Sequence, residues 1–327
     1  HEARWARLEG TRGFRLLNSF WKAAARGRGR DEAVIAGCVT ENTPAMLGET
    51  LRLVQSTRWF GGDLARARFI VCAVEAIDPE ARRELEGYGA EVRVVQRFDP
   101  RNPTANKLRF LEEATRTARD SDLILLLDCD MVVVRDPLPF LQRGALAAKI
   151  ADVPSVPHEA FERLFEHFGL PLLPRTYLTT LLGAPTMAYF NTAVVAFPGD
   201  LARAIVPVWV DYNRRIVDVR DRLMGSCAHH SHQASLTLAL ASHPIPVAEA
   251  PVEINFPLHL THIEPPQRFL DADPAILHYH KLVDAEGYLL PSVYPRAQAR
   301  IEEFNRRLRQ ERAGAGKRGP VSGRVPV

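Results

Sequence analysis

The stretch LILLLDCDMVVVRDP, residues 123–137, decides the fold, because an apolar run meets two carboxylates in it without a break. Its first five residues are aliphatic and predict a strand that is buried on both faces, as the strands of parallel sheets are. Asp128 and Asp130 follow at alternate positions, which point to the same side of an extended chain. Because unpaired carboxylates are costly to desolvate, we expect the strand to end at a rim where a cation neutralises them.

The composition is that of a globular protein. The chain has 327 residues, of which 46% are hydrophobic, enough for the core of one large α/β domain or two smaller ones. Its 42 basic and 39 acidic residues leave a formal net charge of +3, so no overall field favours nucleic acid as a partner. Four widely spaced cysteines without a CxxC pair favour a reducing, cytoplasmic compartment over a disulfide scaffold or a zinc ribbon.

The two ends of the chain differ from its middle. Residues 1–30 mix aromatic and aliphatic residues with many arginines, which predicts a basic amphipathic helical cap. Packing against the domain is the simpler role for this cap, and peripheral contact with a membrane surface is the alternative. Residues 293–327 predict a charged helix followed by a Gly/Arg-rich tail, with disorder from about Ala313. No run has the roughly 18–20 apolar residues of a membrane span.

Between these ends, residues 31–292 predict one large domain of alternating strands and helices. The strands AVIAGCV, ARFIVCAV and EVRVVQRF each precede a helical segment, and the helices begin at Thr43-Pro44, at Asp78-Pro79 and near Ala105. Units that alternate in this way specify an α/β fold with a mixed, mainly parallel sheet flanked by helices. Such sheets bind ligands at the carboxyl ends of their strands, which is where the two aspartates stand.

Hard oxygen ligands at that edge suit Mg²⁺ or Mn²⁺, which bind carboxylates together with the phosphates of a substrate. The pair Asp128 and Asp130 therefore predicts a clamp for a diphosphate. By itself a D-x-D pattern is weak evidence, because aspartates after a strand also cap the next turn. Several histidines in the second half raise the alternative of a zinc hydrolase, but their spacing matches no HExxH-type motif.

The wider motif resembles a known family. LLLDCDMVVVRDP is similar to the DxD element of the GT-A glycosyltransferases, in which hydrophobic strands lie on both sides of the aspartates and DP follows the second strand. Further segments resemble, in order, those of family 8, the glycogenin and bacterial galactosyltransferase group, over roughly residues 34–282. The resemblance implies a Rossmann-like GT-A fold and a metal-dependent transferase. It also implies a nucleotide-diphosphate sugar as donor, with UDP-sugar favoured, and Mn²⁺ or Mg²⁺ as the ion.

The resemblance implies the metal ligands as well. ILHYHK, residues 276–281, is similar to the family's H[FY]xG segment, which makes His278 the third protein ligand beside Asp128 and Asp130. The usual glycine is Lys281 in this chain. His280 therefore competes with His278 for the ligand role, and Lys281 is placed to contact a phosphate.

The same resemblance assigns the donor site. YFNTAVVAFPG resembles the FNxGV strand that meets the donor sugar, and HQASLTLAL resembles the DQxxLN helix start, with histidine in place of the aspartate. CVTENTPAML matches the first strand and nucleotide loop, and ANKLRFLEEA puts a lysine where an arginine contacts the donor. The donor-binding residues implied are Thr40, Glu41, Asn42, Lys107, Asp128, Cys129, Asp130, Asn191, Thr192, His232, Gln233 and Lys281. Among these, the implied catalytic residues are Gln233, Asn191 and Lys107.

An amide such as that of Gln233 cannot abstract a proton, so the resemblance implies retention of anomeric configuration. The acceptor, which is a glycan, a lipid-linked molecule or a small molecule, is expected over residues 151–185 and 229–232. Two other functions stay open: a haloacid-dehalogenase-like phosphatase with Asp128 as nucleophile, and a nucleotide-sugar-binding protein without turnover. Taken singly, residues such as Gln233 also have structural explanations as capping or core residues.

Overall fold

The computed structural model describes residues 32–315, and a seven-stranded sheet forms the centre of this part of the chain. In chain order the strands are β1 (Val34–Glu41), β2 (Arg68–Val74), β3 (Ala90–Val95), β4 (Leu123–Leu127), β5 (Met131–Val133), β6 (Leu146–Ile150), β7 (Tyr177–Leu178), β8 (Pro185–Thr186), β9 (Phe190–Pro198), β10 (Val247–Glu249), β11 (Phe256–Pro257) and β12 (Ile276–His278). The α-helices are α1 (Pro44–Phe60), α2 (Pro79–Gly87), α3 (Leu108–Thr117), α4 (His158–Phe168), α5 (Gly199–Val217), α6 (Arg220–Met224), α7 (Ser231–Ser242), α8 (Gln267–Asp271) and α9 (Pro295–Ala315).

The strands of the central sheet lie in the order β10-β6-β9-β4-β1-β2-β3. The strands β4, β1, β2 and β3 are parallel, as the alternation of strands and helices predicted. Strand β9 is antiparallel to both β4 and β6, and β10 is parallel to β6 at the other edge. The sheet is therefore mixed and mainly parallel, which confirms the predicted fold class.

Local capping explains where the first helices begin. Thr43 accepts a hydrogen bond from the N–H of Met46 at 3.3 Å, and Pro44 takes the first helical position, where a missing N–H costs little. The carboxylate of Asp78 accepts two backbone N–H groups of the first turn of α2, both at 2.9 Å. Both helix starts were predicted from these residues and are confirmed.

The charged helix expected near the C-terminus is α9. Its apolar side packs Ile301, Phe304 and Leu308 into a cluster that includes the three-stranded sheet β11-β12-β5. The helix extends to Ala315, and the disorder expected from about Ala313 stays a prediction for the residues that follow. The cap predicted for residues 1–30 and the tail after residue 315 lie outside the described residues.

Apolar layers cover both faces of the central sheet. Ile124 and Leu126 of β4 face a layer that includes side chains of α3, α5 and α7, whereas Leu125 faces a layer that includes side chains of α1. Every side chain of β4 is buried, and burying one such aliphatic side chain contributes about 1.5–3 kcal/mol. A charged residue within β4 would therefore have to lie in one of these layers, so the charges come only where the strand ends.

The topology brings distant segments to the edge where β4 ends. Because β9 runs antiparallel to β4, the first residues of β9, Phe190 and Asn191, lie at that edge. Strand β5 leaves the large sheet and pairs antiparallel with β12, with Met131 opposite His278. Residues 128–130 are therefore the junction between two sheets, and His278 lies across from this junction.

Gly37 of β1 has no room for a side chain. A Cβ atom there would lie 2.1 Å from the carbonyl oxygen of Ile70 and 2.4 Å from a ring carbon of Phe110. We expect Gly37→Ala to lower the free energy of unfolding by about 3 kcal/mol, because the neighbouring strand and the buried ring are both held in the core. Urea unfolding followed by circular dichroism would measure the loss.

Gly87 offers a matched control, since nothing lies within 4 Å of a Cβ atom placed on this residue of α2. Gly87→Ala should leave stability unchanged or raise it by up to about 1 kcal/mol, because alanine is the better helix former. An unfolding midpoint for Gly37→Ala equal to that of the wild type would contradict the close packing of β1 against α3.

Candidate active site

A cavity of about 660 Å³ opens at the edge where β1 and β4 end, a size that suits small-molecule ligands. Its wall includes many of the residues singled out from the sequence, namely Glu41, Lys107, Asp128, Cys129, Asp130, Asn191, His232, Gln233 and His278. His280 lines the same cavity. The fold thus gathers at one opening side chains that are far apart along the chain.

Asp128 is paired with a cation of the protein itself. The Nζ atom of Lys107 lies 2.7 Å from Oδ1 and 2.9 Å from Oδ2 of Asp128, and it also donates to the carbonyl oxygen of Thr192 at 3.4 Å. Lys107 ends the short 3-10 turn that leads into α3, so the start of this helix delivers the ammonium group to the end of β4. The first of the two carboxylates is therefore neutralised by lysine.

Asp130 is surrounded by imidazoles instead. The Nε2 atom of His278 lies 3.3 Å from both carboxylate oxygens, and the Nδ1 atom of His280 lies 3.3 Å from Oδ2. Burial alone would raise the pKa of Asp130, but the charges and hydrogen bonds of the two histidines outweigh burial and lower this pKa below its ordinary value. The second carboxylate thus stays ionised in the middle of a histidine group.

Asp130, His278 and His280 fit a divalent metal ion. One donor atom of each lies within 4.8 Å of the others, a grouping found at no other place in residues 32–315. The Nδ1 atom of His278 faces the amide oxygen of Asn255 at 3.1 Å. An amide oxygen only accepts, so this contact suits an imidazole that carries a proton on Nδ1 and could offer Nε2 to a metal ion in place of the present contact with Asp130. Of the three predicted metal ligands, the structure thus brings Asp130 and His278 together. The third, Asp128, pairs with Lys107 instead, and His280 lies beside His278.

Of the residues predicted in the first strand and its loop, Glu41 lines the cavity, whereas Thr40 and Asn42 make contacts within the fold. Glu41 lies on the wall, where Arg97 and Asn106 each donate to its carboxylate at 2.9 Å. Thr40 is fully buried, and its hydroxyl donates to the carbonyl oxygen of Glu41 at 3.3 Å. The side chain of Asn42 accepts the N–H of residue 78 at 2.8 Å and so joins the end of β1 to the start of α2.

The residues assigned to the donor sugar lie on the opposite wall. Asn191 accepts the N–H of residue 193 at 3.0 Å, and Thr192, next to it, is fully buried. The amide oxygen of Gln233 accepts a hydrogen bond from the hydroxyl of Tyr189 at 2.8 Å, which fixes this side chain at the cavity. Burial, together with the charge of nearby Lys107, lowers the pKa of His232 well below its ordinary value, so this imidazole is neutral at pH 7.

The outer side of the Asp130 group borders a second pocket of about 330 Å³. Lys281 lines this pocket together with Glu49 and His280. The Sγ atom of Cys129 lies 3.4 Å from the Glu49 carboxylate, and burial raises the pKa of both groups above their ordinary values. Cys129 is therefore a neutral thiol that links the two aspartates to α1.

A buried ion pair on the cavity wall was missed in the sequence. Lys149 of β6 is fully buried, and its Nζ atom lies 2.5 Å from Oδ1 of Asp152, which also accepts a hydrogen bond from Thr180 at 2.6 Å. Burial lowers the pKa of Lys149, and the charge of Asp152 opposes this effect. The signal in the sequence is a lysine within the apolar strand LAAKI, followed three positions later by an aspartate.

We expect Lys149→Met to lower the free energy of unfolding by about 3–5 kcal/mol, because it leaves the carboxylate of Asp152 buried without its cation. The double variant Lys149→Met/Asp152→Asn should recover most of this loss, since both charges are then gone. Urea unfolding of the wild type, both single variants and the double variant would measure the coupling. Single-variant losses that simply add in the double variant would contradict the pairing.

The fold and the cavity together define an α/β protein whose candidate ligand site lies at the carboxyl ends of its central strands. The chain belongs to the Rhodobacterales glycosyltransferase domain family, whose model matches residues 39–243. This membership confirms the glycosyltransferase domain that the resemblance predicted. The matched segment contains Lys107, Asp128 and Asp130, and it ends before the two histidines of the metal-ligand group. A search of curated proteins found no match.

Solved structures of other glycosyltransferases are similar to this chain at low identity. The apo structure of the bifunctional glycosyltransferase WbbM has a TM-score of 0.48 at 12% identity, covering 87% of this chain and 52% of that one. Apo mouse xyloside xylosyltransferase 1 has a TM-score of 0.47 at 11% identity, covering 76% and 98%. The glycosyltransferase GlyE of Streptococcus pneumoniae TIGR4 has a TM-score of 0.48 at 15% identity, covering 90% and 67%. The chain thus spans about half the length of the WbbM structure.

No helix within residues 32–315 combines the length and the apolar character that crossing a bilayer demands.

Proposed function

We propose that the protein is a metal-dependent glycosyltransferase of the GT-A type, with a family 8-like donor site that uses a nucleotide-diphosphate sugar, UDP-sugar being favoured. The observation that carries this proposal is the meeting of Lys107 with the Asp130, His278 and His280 group at one cavity. A cationic side chain and a metal-ligand group side by side suit a diphosphate. Membership of a glycosyltransferase family implies that the substrates are a sugar donor and an acceptor.

The leaving group of such a transfer is a nucleoside diphosphate, which gains negative charge as the anomeric bond breaks. Asp128 holds the ammonium group of Lys107 at the cavity wall, where it is placed to take up part of this charge. A divalent cation held by Asp130 and His278 would supply Lewis-acid stabilisation of the same phosphate oxygens. The main catalytic effect proposed is therefore electrostatic stabilisation of the leaving group.

The strand order supports an orientation for the donor. Glu41 lies at the end of β1 and Asn191 at the start of β9, with β4 between these two strands. Neighbouring strands lie about 4.8 Å apart, so this part of the wall spans roughly 10 Å. We place the nucleoside near Glu41, the diphosphate near Lys107 and Asp130, and the sugar near Asn191 and Gln233.

The acceptor is proposed to enter from the side of β6. Asp152, Ser155 and His229 line the cavity there, and they belong to the two segments that the sequence predicted for the acceptor. Glycan, lipid-linked and small-molecule acceptors all suit a wall that combines a carboxylate, a hydroxyl and an imidazole. The proposed contact of residues 1–30 with a membrane surface would favour a lipid-linked acceptor.

The proposed donor site is tested by incubating the protein with a panel of UDP- and GDP-sugars and Mn²⁺, without acceptor. We expect slow release of nucleoside diphosphate from one donor, abolished by removing the metal with a chelator, because water replaces the acceptor in the open site. Chromatography of the nucleotides measures this release. Binding of a donor without any release, under these conditions and with acceptor added, would favour a nucleotide-sugar-binding protein instead.

Asp130→Asn should reduce the metal-dependent release by at least about 100-fold, because it removes the charge that holds the ion and leaves the volume unchanged. Asp211→Asn, on the exposed surface of α5, is the matched control and should release nucleoside diphosphate at the wild-type rate. Circular dichroism checks that both variants are folded. Release of nucleoside diphosphate by Asp130→Asn at the wild-type rate would contradict the proposed role of the metal ion.

Retention of anomeric configuration is proposed because Gln233 presents an amide at the sugar, and the phosphate oxygen of the leaving group then takes the proton of the acceptor. The carboxylate of Asp152 is already engaged by Lys149 and Thr180, which makes it a poor base. A time course of product formation by proton NMR should show the anomer of the donor. If the first product were the opposite anomer, this result would contradict retention and indicate an inverting mechanism.

A further inference from the structure

A chain of hydrogen bonds links the acceptor side of the cavity wall to the sugar side. The hydroxyl oxygens of Ser155 and Tyr189 lie 2.8 Å apart, and the hydroxyl of Tyr189 donates to the amide oxygen of Gln233, also at 2.8 Å. A tyrosine hydroxyl has one proton, which here goes to Gln233, so Ser155 is the donor in the first contact. The chain therefore runs in one direction, from Ser155 through Tyr189 to Gln233.

The position of Tyr189 is fixed by packing and by backbone pairing. Its side chain is fully buried, and its ring packs edge-on to that of Phe161 with the centroids 5.2 Å apart. Its carbonyl oxygen accepts the N–H of residue 151 at 3.0 Å, just after β6 ends. Burial raises the pKa of the Tyr189 hydroxyl, so this group keeps its proton at neutral pH. A hydroxyl buried so deeply needs partners, and both of its partners line the cavity.

The bond from Tyr189 determines which end of the Gln233 amide is left for a ligand. The amide oxygen is engaged by Tyr189, whereas the NH₂ group makes no hydrogen bond to any of residues 32–315. An unpaired polar group is costly inside a protein, but at the wall of an open cavity it can bind a ligand. Gln233 therefore presents hydrogen-bond donors to the cavity.

A second amide on the sugar side is turned in the same way. The side-chain oxygen of Asn191 accepts the N–H of residue 193 at 3.0 Å, and Asn191 lines the same cavity. An amide side chain accepts through its oxygen and donates through its NH₂ group, so binding both oxygens to the protein leaves both NH₂ groups for a ligand. Asn191 belongs to β9 and Gln233 to α7, so two separate elements offer donors to the same ligand group.

We propose that Tyr189 is a positioning residue for the sugar transfer, which holds the oxygen of Gln233 so that the NH₂ group of Gln233 donates to an oxygen of the donor sugar. The amide oxygen is then the structural end of this side chain, and the NH₂ group is the functional end. Ser155 gives its proton to Tyr189, so its own oxygen can accept a hydroxyl of the acceptor, and successive hydrogen bonds in such a chain polarise one another. The inference deepens the proposed function and rests on it for the identity of the ligand.

The first test measures the Gln233 amide without any substrate. In Tyr189→Phe the ring keeps its packing against Phe161, but the oxygen of Gln233 loses its hydrogen-bond donor. The side-chain amide signal of Gln233 in the NMR spectrum, assigned by its loss in Gln233→Met, should therefore shift in Tyr189→Phe. Tyr212→Phe removes a hydroxyl from another buried tyrosine, away from the cavity wall, and should leave the signal in place. An unshifted signal in Tyr189→Phe would overturn the proposal.

The second test measures Mn²⁺-dependent release of nucleoside diphosphate from the sugar donor. Tyr189→Phe should lower kcat about 10-fold while KM changes less than about 2-fold, because the amide is present but no longer held in one orientation. Tyr189→Phe/Gln233→Met should be no slower than Gln233→Met alone, since Tyr189 acts through the amide. Tyr212→Phe should release at the wild-type rate. Losses that add in the double variant would assign Tyr189 a merely structural role and overturn the proposal.

Gln233→Glu decides which end of the amide is used. A carboxylate still accepts the proton of Tyr189 but offers no N–H to the sugar, so kcat should fall at least as far as in Gln233→Met. Release by Gln233→Glu at the wild-type rate would show that the oxygen is the functional atom and would overturn the proposal. A wild-type protein that releases nucleoside diphosphate from no donor would contradict the proposed function, and the NMR comparison would still decide whether Tyr189 holds Gln233.

Discussion

The passage of the chain from one sheet to another at residues 128–130 is the constraint on which the site depends. Strand β4 is buried between β1 and β9 with apolar layers on both faces, so it offers no place for a charge before its end. Strand β5 belongs to a different sheet, where it pairs with β12. The carboxylates lie where the chain passes between these sheets, and each has its own partner: Asp128 pairs with Lys107 ahead of α3, and Asp130 meets the imidazoles at the end of β12.

The parts of the fold that could be predicted are those that local chemistry determines. Thr43 and Asp78 cap their helices through hydrogen bonds within a few residues, so their effect is visible in the sequence. The alternation of apolar strands and amphipathic helices likewise determines the parallel side of the sheet. The reversal at β9 left no such signal, because its apolar run, residues 193–198, is as continuous as that of β4 and does not indicate the direction of the strand.

The parts that could not be predicted depend on pairing across the fold. The sequence places two aspartates on one side of an extended chain, yet one binds a lysine from an earlier turn and the other meets histidines from a late strand. His280 has a left-handed backbone although it is not a glycine, so the sequence contains no signal for this conformation. From the sequence, His280 could therefore be named only as a competitor of His278 for the role of metal ligand. The ion pair of Lys149 with Asp152 violates the apolar pattern of its strand. Such violations are expected at functional sites.

The pairing of charges on the wall explains why a metal ion and an anionic ligand would be taken up together. Glu41 is paired with Arg97, Asp128 with Lys107, and Asp152 with Lys149, so these carboxylates present little net charge to the cavity. Around Asp130 the partners are imidazoles, which are neutral when they act as ligands. A divalent ion bound there would leave a net positive charge that a diphosphate can neutralise, and without the diphosphate this charge would face water in a partly enclosed cavity. Each would therefore raise the affinity for the other, and by thermodynamic linkage the two effects are equal.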